Sequence, residues 1–463
     1  MFLEFRLDYL ADPVAGVELI RRFKKKFGDA HLLATCRHKQ ASGYFQGSVE
    51  QQFAVLRDAA EAGATLLDLE VESAERLHTA PQLLRENSAL IVSYHNFDKT
   101  PALEPLFRRI RRIPADAYKI ATTARKPSDN LRVLHCACEH RQTALILLAM
   151  GEAGIPSRIL APSRGSLYTY ASSRDAPGTA PGQIAAHTMR TLYRPGRLAS
   201  QTRIFGLIAS PVAHSKSPAI HNRGFQARRL DAVYLPFLVT TAQLGDWMRF
   251  AEALPVAGFS VTIPHKQRII HHLDTVDPLA KRIGAVNTVW RKRGKWRGTN
   301  TDVDGIVKPL SRRLTIAGAS ILVAGYGGAA RAAAVALADA RANVHITGRN
   351  MRSAQALAAA VKGEPVSLLE AQDRTYDALI HATPVGMVPN ADECLFDHIP
   401  ADVVFDMVYN PRRTLLLKRA EAQGATVIPG SEMLLEQAVS QFQVFTGESA
   451  PRATMQAALD EAS

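Results

Sequence analysis

Cysteine is scarce, with four in 463 residues. That is too few for a disulfide scaffold, and Cys136 and Cys138 have no second Cys/His pair at a spacing that would complete a zinc site. Ordinary reduced thiols are expected, and no bound metal. Long apolar runs are also missing: stretches such as 144–150 are strand-sized, well short of the ~18 residues a spanning helix needs. The start Met1-Phe-Leu-Glu-Phe-Arg carries Glu4, Arg6 and Asp8 where a secretory signal would carry its apolar stretch. A cytoplasmic protein without a membrane partner is expected. Nor is charge of one sign concentrated. The net +13 comes from 56 basic and 43 acidic side chains, of which 27 and 20 lie in residues 1–200. Only 21–26 and 291–297 form basic runs. This even spread argues against a nucleic-acid-binding arm, and a mild positive field suits small anionic substrates and a phosphorylated cofactor.

The hydrophobic and charged fractions, 47% and 21%, exclude a disordered, collagen-like or coiled-coil chain. Short apolar runs alternate with helical patterns throughout, as in βα units around parallel sheets. In the first 200 residues strands are predicted at 2–7, 32–36, 65–71, 89–94, 118–122, 144–149 and 166–170. Residues 172–182 read as a Pro/Gly/Ser-rich loop and 184–192 as a closing helix. Polar residues at the strands' C-terminal ends predict an N-terminal (β/α) TIM-type barrel over 1–195, one strand short of eight. A polar linker is predicted at 196–202. An α/β unit over 203–315 and a Rossmann-type unit over 316–463 follow, with the C-terminal helix returning to the former.

Lys119 falls inside the predicted strand Ala117-Tyr-Lys-Ile-Ala-Thr-Thr, where alternation buries it among apolar neighbours. Burial costs a lysine part of its charge. A neutral amine in a dry pocket can attack a ketone to form a Schiff base, an electron sink for removing a proton from the adjacent carbon. Taken alone, the position equally fits a lysine snorkelling to a barrel rim. His95 ends the preceding strand, and side chains at barrel C-termini converge on one cleft. Glu70 ends the strand before that and is expected to hold the imidazole in one tautomer. Arg158, Gln183, Glu4, Arg6 and Arg37 are expected to close the ring.

In order along the chain, Glu4-Phe-Arg6-Leu-Asp8, Ser93-Tyr-His95-Asn-Phe, Tyr118-Lys119-Ile-Ala, Ser157-Arg158, Gly165-Ser166 and Ala180-Pro-Gly-Gln183 resemble type I 3-dehydroquinate dehydratase over about residues 1–195. The resemblance implies that Lys119 forms an imine with the 3-keto group while His95, oriented by Glu70, moves protons. Arg158 and Gln183 would hold the substrate's carboxylate and hydroxyls, with Arg37, Arg6 and Glu4 completing the wall. Two features depart from the family. It has a further strand and helix before Glu-x-Arg-x-Asp, and it often carries Glu-Gly-Gly where this chain has Ala41-Ser42-Gly43.

A second constellation begins with Ile321-Leu-Val-Ala-Gly325-Tyr-Gly327-Gly328-Ala329-Ala330-Arg331, a strand, a glycine turn and a helix start. It fits G-x-G-x-x-A, whose glycines let the backbone approach a pyrophosphate seated on the helix N-terminus. The next predicted strand ends in Gly348-Arg349-Asn350, with an arginine where NAD-binding chains place a carboxylate. A guanidinium suits a 2′-phosphate, so NADP is the predicted cofactor. Upstream stand Ser215 and Ser217, then Thr262 and Lys266 past another strand, then Asn287 and Asp302. Alone, the serines fit a helix cap and Lys266 a surface lysine. Together with Asp406-Met-Val-Tyr409-Asn-Pro411 and Gly430-Ser-Glu-Met-Leu-Leu-Glu-Gln437 they resemble shikimate dehydrogenase over about 203–449. By that resemblance Lys266 and Asp302 form the catalytic pair, and Ser215 and Ser217 bind the substrate carboxylate. Thr262, Asn287, Tyr409 and Gln437 would address ring hydroxyls, while Gly430 would join the glycine turn at the cofactor. In His381-Ala-Thr-Pro-Val-Gly386-Met387 the family usually has Asn at position 381.

The two resemblances name consecutive reactions, dehydration of 3-dehydroquinate and reduction of the resulting 3-dehydroshikimate to shikimate. A bifunctional enzyme is therefore the favoured expectation. The alternative is an active dehydrogenase joined to a degenerate, non-catalytic barrel.

Overall fold

The computed structural model describes residues 2–173 and 178–462, and the chain divides into two compact units, Met1–Gln201 and Thr202–Ser463. Positions 174–177 of the predicted 172–182 loop lie outside the described residues.

The first unit is built on six parallel strands, β1 (Phe2–Arg6), β2 (His31–Thr35), β3 (Leu66–Glu70), β4 (Ala89–His95), β5 (Ala117–Thr123) and β6 (Leu145–Met150). Each pairs with the next in chain order, the βα winding of a TIM-type barrel left open as a curled sheet. Helices cover the outer face over a core including Leu67, Leu69, Leu56 and Phe107. The inner face has an apolar floor of Leu33, Ile91, Ala117 and Ile146 and an upper layer of Ala121, Leu148 and Met150. Alternation along β5 puts Lys119 between these layers, flanked on its own strand by the small Ala117 and Ala121.

The expected seventh strand at 166–170 does not form. The Ser166 hydroxyl takes the Leu147 N–H (3.0 Å) and the Ser157 hydroxyl takes the Ala149 N–H (3.0 Å). Side chains thus satisfy the β6 donors that a neighbouring strand would need, and one main-chain bond, Leu167 N–H to the Leu145 carbonyl, remains. The segment still lies over the sheet, where Tyr168 meets Phe2 edge-on at 4.9 Å. The predicted closing helix is two short turns, Ala186–Thr188 and Met189–Tyr193.

The second unit holds two six-stranded sheets. The first contains β7 (Arg203–Ala209), β8 (Ala232–Leu238), β9 (Val256–Val261), β10 (Thr275–Val276), β11 (Thr288–Lys292) and β12 (Lys295–Thr299) in the order β10-β12-β11-β9-β7-β8, with β11 antiparallel to its neighbours. The second contains β13 (Ser320–Ala324), β14 (Asn343–Thr347), β15 (Glu364–Pro365), β16 (Tyr376–His381), β17 (Ala401–Asp406) and β18 (Thr426–Ile428). Its order β15-β14-β13-β16-β17-β18 is the 3-2-1-4-5-6 winding of a Rossmann sheet, reversing between β13 and β16. Helix Gly430–Thr446 turns back, and its Leu434, Ala438, Phe442 and Phe445 pack with Phe205 and Phe225 of the first sheet's layer.

Candidate active sites

In the first unit, Glu4, Arg6, Arg37, His95, Lys119, Arg158 and Gln183 line one pocket at the C-terminal ends of the strands, together with Phe97, Met150, Tyr170 and Thr179. Seven of the eight residues predicted for this site therefore converge. Lys119 is 4% exposed, and its ammonium donates to Asp68 Oδ2 at 2.9 Å while lying 4.4 Å from the centre of the Tyr170 ring. The resting group is half of a buried ion pair, which burial alone did not lead one to expect. Burial by itself would raise the Asp68 carboxyl. Lys119, Arg37 and the Ser93 hydroxyl outweigh it and hold the carboxyl below its ordinary range.

Glu70 does not orient His95. Its oxygens accept the His38 backbone N–H (2.8 Å) and the Gln52 side-chain amide (2.6 Å), directing it toward helix Val49–Glu61. Burial and the neighbouring Asp68 push its carboxyl up to about 7. The His95 Nδ1 has no hydrogen-bond partner among the described residues. Burial, with Arg37, Lys119 and Arg6 close by, holds the imidazole well below its usual range, so it stands neutral and able to take a proton. Arg6 is already neutralised by a two-pronged bond to Asp8, both contacts at 2.8 Å. Glu4 accepts from Thr35, and Gln183 is turned onto the Thr179 N–H (2.7 Å).

Arg158 differs from the others. It is 1% exposed, its Nε has no partner among the described residues, and its other contacts there are two long bonds of 3.4 Å to the Tyr170 and Pro181 carbonyls. Burial pushes its pKa down to about 10. A buried guanidinium without an acid is costly unless an anion comes to it.

In the second unit the Lys266 ammonium donates to Asp302 Oδ2 at 2.5 Å, and the Asn287 amide donates to Asp302 Oδ1 at 2.8 Å. Asn287 cannot turn over, because its oxygen accepts from the Thr301 N–H and the Thr288 hydroxyl, and its amide also reaches Gln437 at 3.4 Å. The Ser215 hydroxyl accepts the Ser217 N–H at 3.3 Å. Thr262 lies half-buried just past β9, and Tyr409 packs against the core of helix Gly430–Thr446. Sequence reasoning missed the polar chain beneath these residues. The Tyr234 hydroxyl donates to Ser260 (2.6 Å), Ser260 to Gln441 (2.8 Å), and Gln441 to Thr288 (3.0 Å). Gln441 stands one helical turn from Gln437, a spacing that could have flagged it. Asp68 could have been found in the same way, from sharing a strand face with Glu70.

The dinucleotide side has an opening of the right kind. Gly325 has φ +127°, and a side chain there would meet the Ala382 carbonyl at 2.8 Å; at Gly327 a side chain would meet nothing within 4 Å. Helix Gly328–Asp339 begins at this point, with Ala329 and Ala330 in its first turn. A methyl group on Gly328 would press on the Lys266 stem at 3.2 Å, so the lysine and the glycine turn share one cleft. Arg349 is exposed just beyond β14. Gly430 is explained by packing, since a side chain there would meet the Met407 and Val408 carbonyls at 2.6 Å.

Residues 2–200 match the family model of type I 3-dehydroquinase. Residues 207–289 match the shikimate dehydrogenase substrate binding domain, and 430–459 the shikimate 5′-dehydrogenase C-terminal domain. The bifunctional 3-dehydroquinate dehydratase/shikimate dehydrogenase of Arabidopsis thaliana, a chloroplastic protein, is 36% identical over 97% of this chain and 78% of its own length. The shikimate biosynthesis protein AroDE of Chlamydia pneumoniae is 34% identical over 79% of this chain and 76% of its own. Shikimate 5-dehydrogenase from Thermus thermophilus, solved with NADP(H) and shikimate, superimposes with a TM-score of 0.52 at 32% identity, covering 56% of this chain and 99% of that one. Three family models in sequence along the chain, and a relative whose name carries both activities and of which this chain covers 78%, lead to one assignment: the chain belongs to the bifunctional 3-dehydroquinate dehydratase/shikimate dehydrogenase family.

Proposed function

We propose that the first unit dehydrates 3-dehydroquinate to 3-dehydroshikimate and the second reduces that product to shikimate with NADPH. The single observation that carries the dehydratase reading is Arg158, a buried cation that meets no acid among the described residues, facing Lys119 and His95 across a small pocket. A monoanionic keto acid supplies both the missing carboxylate and a carbonyl for the amine. Lys119 gives up a proton, attacks the ketone carbon and expels its oxygen as water to form the imine. His95 then takes a proton from the adjacent carbon, the hydroxyl beyond it leaves as water, and hydrolysis of the imine frees Lys119. Asp68 and the Tyr170 ring lie beside that nitrogen, where the charge of the iminium forms. A degenerate barrel would have no reason to keep a buried guanidinium that meets no acid among the described residues, which costs stability and serves an anion.

In the second unit Lys266 donates the proton to the oxygen that becomes the new hydroxyl, and Asp302, fixed by Asn287, holds the ammonium in place. NADPH supplies the hydride. Its pyrophosphate fits the open space at Gly327 and the free N–H groups of helix Gly328–Asp339, and Arg349 fits a 2′-phosphate. Ser215 and Ser217 offer neutral donors to the carboxylate, and Thr262, Asn287, Tyr409 and Gln437 offer groups for the ring hydroxyls. We place the enzyme in the cytoplasm, a reading supported by four unpaired cysteines, and no described helix is long and apolar enough to cross a membrane.

The test is borohydride treatment in the presence of 3-dehydroquinate, followed by mass mapping, with NADPH-dependent turnover of 3-dehydroshikimate measured on the same sample. A reduced adduct on Lys119 and faster turnover with NADPH than with NADH are expected. Absence of the adduct would return the barrel to a non-catalytic role.

A further inference from the structure

One buried polar cluster of the second unit is used by neither reaction as described. Asp406, at the end of β17, is fully buried and accepts three hydrogen bonds: from the Thr414 hydroxyl (2.5 Å), the Val408 N–H (3.0 Å) and His381 Nδ1 (2.9 Å). Facing a carboxylate, His381 Nδ1 is the donor of that bond. His381 Nε2 meets the Thr383 hydroxyl at 2.5 Å, and the Thr383 oxygen in turn accepts the Val385 N–H at 3.2 Å. The links run without a break from Asp406 to the Val385 N–H. His381 is 2% exposed, so the chain is shielded from competing water.

The place of this chain in the sheet gives it a purpose. His381 ends β16 in register with Ala324, the last residue of β13 before the glycine turn. Strand order reverses between these two strands, and in such sheets ligands enter the crevice outside the strand ends at that point. The loop after His381 touches the turn itself: the Ala382 N–H bonds the Ala324 carbonyl (2.9 Å), and the Ala382 oxygen occupies the space that a Gly325 side chain would need. One wall of the crevice is the glycine turn, and the other is the loop that His381 ties down through Thr383. We infer that His381 is a positioning residue for the dinucleotide: as the relay between Asp406 and Thr383 it holds the 382–387 loop in its binding geometry, so that cofactor binding does not have to order it. The inference rests on the NADP reading of the same cleft.

The experiment compares the full chain with His381→Ala, His381→Asn and Thr383→Val, measuring KM for NADP and for shikimate in the oxidation direction, with NADP binding followed by titration. Asn carries an N–H and an oxygen about as far apart as the two ring nitrogens, so it can replace both links. His381→Ala is expected to raise KM for NADP about tenfold and leave KM for shikimate within about twofold. Thr383→Val should reproduce much of that rise, and His381→Asn should restore wild-type affinity to within about threefold. Unchanged KM for NADP in both His381→Ala and Thr383→Val overturns the inference. So does an equal rise in both KM values, which marks a purely structural role. If His381→Ala does not fold, the Thr383→Val and His381→Asn pair decides alone. Wild-type protein without NADP-dependent oxidation of shikimate would instead bring down the underlying functional reading.

Discussion

Stability and substrate affinity should move in opposite directions at Arg158. Its descent from the ordinary guanidinium range to about 10 on burial corresponds to about 3 kcal/mol held against the charged form in the folded chain, at ~1.4 kcal/mol per tenfold change in proton affinity. The sign follows from which state holds the proton more weakly. The folded state does, so at neutral pH the charge opposes folding, and the opposition fades only as pH climbs past about 10. Arg158→Met keeps most of the volume and removes the charge. After loss of two weak hydrogen bonds, a net gain of roughly 1–3 kcal/mol is expected for the first unit. Its calorimetric transition should rise by ~2–4 °C per kcal/mol.

Binding should go the other way. A charge-assisted bond to a carboxylate contributes about 1.5–3 kcal/mol, so KM for 3-dehydroquinate should rise by roughly 10- to 150-fold. Initial rates, followed through the ultraviolet absorbance of the conjugated ketone product, measure this directly. Substrate should also raise the wild-type transition further than the variant's, because the ligand adds stability in proportion to its affinity. Lys119→Met makes the opposite case. It leaves the Asp68 carboxylate buried without its cation, and a loss of about 3–5 kcal/mol is expected. If Arg158→Met instead lowered the transition temperature and left KM unchanged, the guanidinium would be a structural element and the argument for an anion at that position would fail.

Further outcomes follow from the same geometry. Because burial and Asp68 raise the Glu70 carboxyl from 4.5 to about 7, folding favours its protonated form; its contribution to stability is full below pH 4.5 and is lost as pH rises to about 7. Urea midpoints collected across that interval should show the decline, and Glu70→Gln should flatten it. Lys266→Met should lower kcat for shikimate oxidation by about 10²–10⁴ while KM for NADP changes little, read from the absorbance of NADPH formed. Tyr170→Leu should cut kcat for dehydration by roughly three- to tenfold through loss of the ring beside Lys119, whereas Tyr170→Phe should not.

The parts of this molecule that could be read in advance are those that neighbours along the chain report on. Strand alternation identified Lys119 as buried, and the glycine turn with a strand before it and a helix after it identified the Rossmann half, because period and turn chemistry act over a few residues. Alternation names a face but not the partner across it. Asp68 is 51 residues from Lys119, and without it the lysine reads as a lone amine when it is one half of an ion pair. Glu70 failed for the same reason: its face was right, but Gln52, on a helix between β2 and β3, claimed the oxygen assigned to His95. The seventh strand failed because two hydroxyls, those of Ser166 and Ser157, took the β6 N–H groups a new strand would have needed, and no periodicity shows that competition. What pattern leaves undetermined here is the identity of hydrogen-bond partners, and at both sites those partners set which group holds the proton. The relay through Asp406, His381 and Thr383 is the plainest case, since its members stand on one strand, the loop after it and the neighbouring strand 25 residues on.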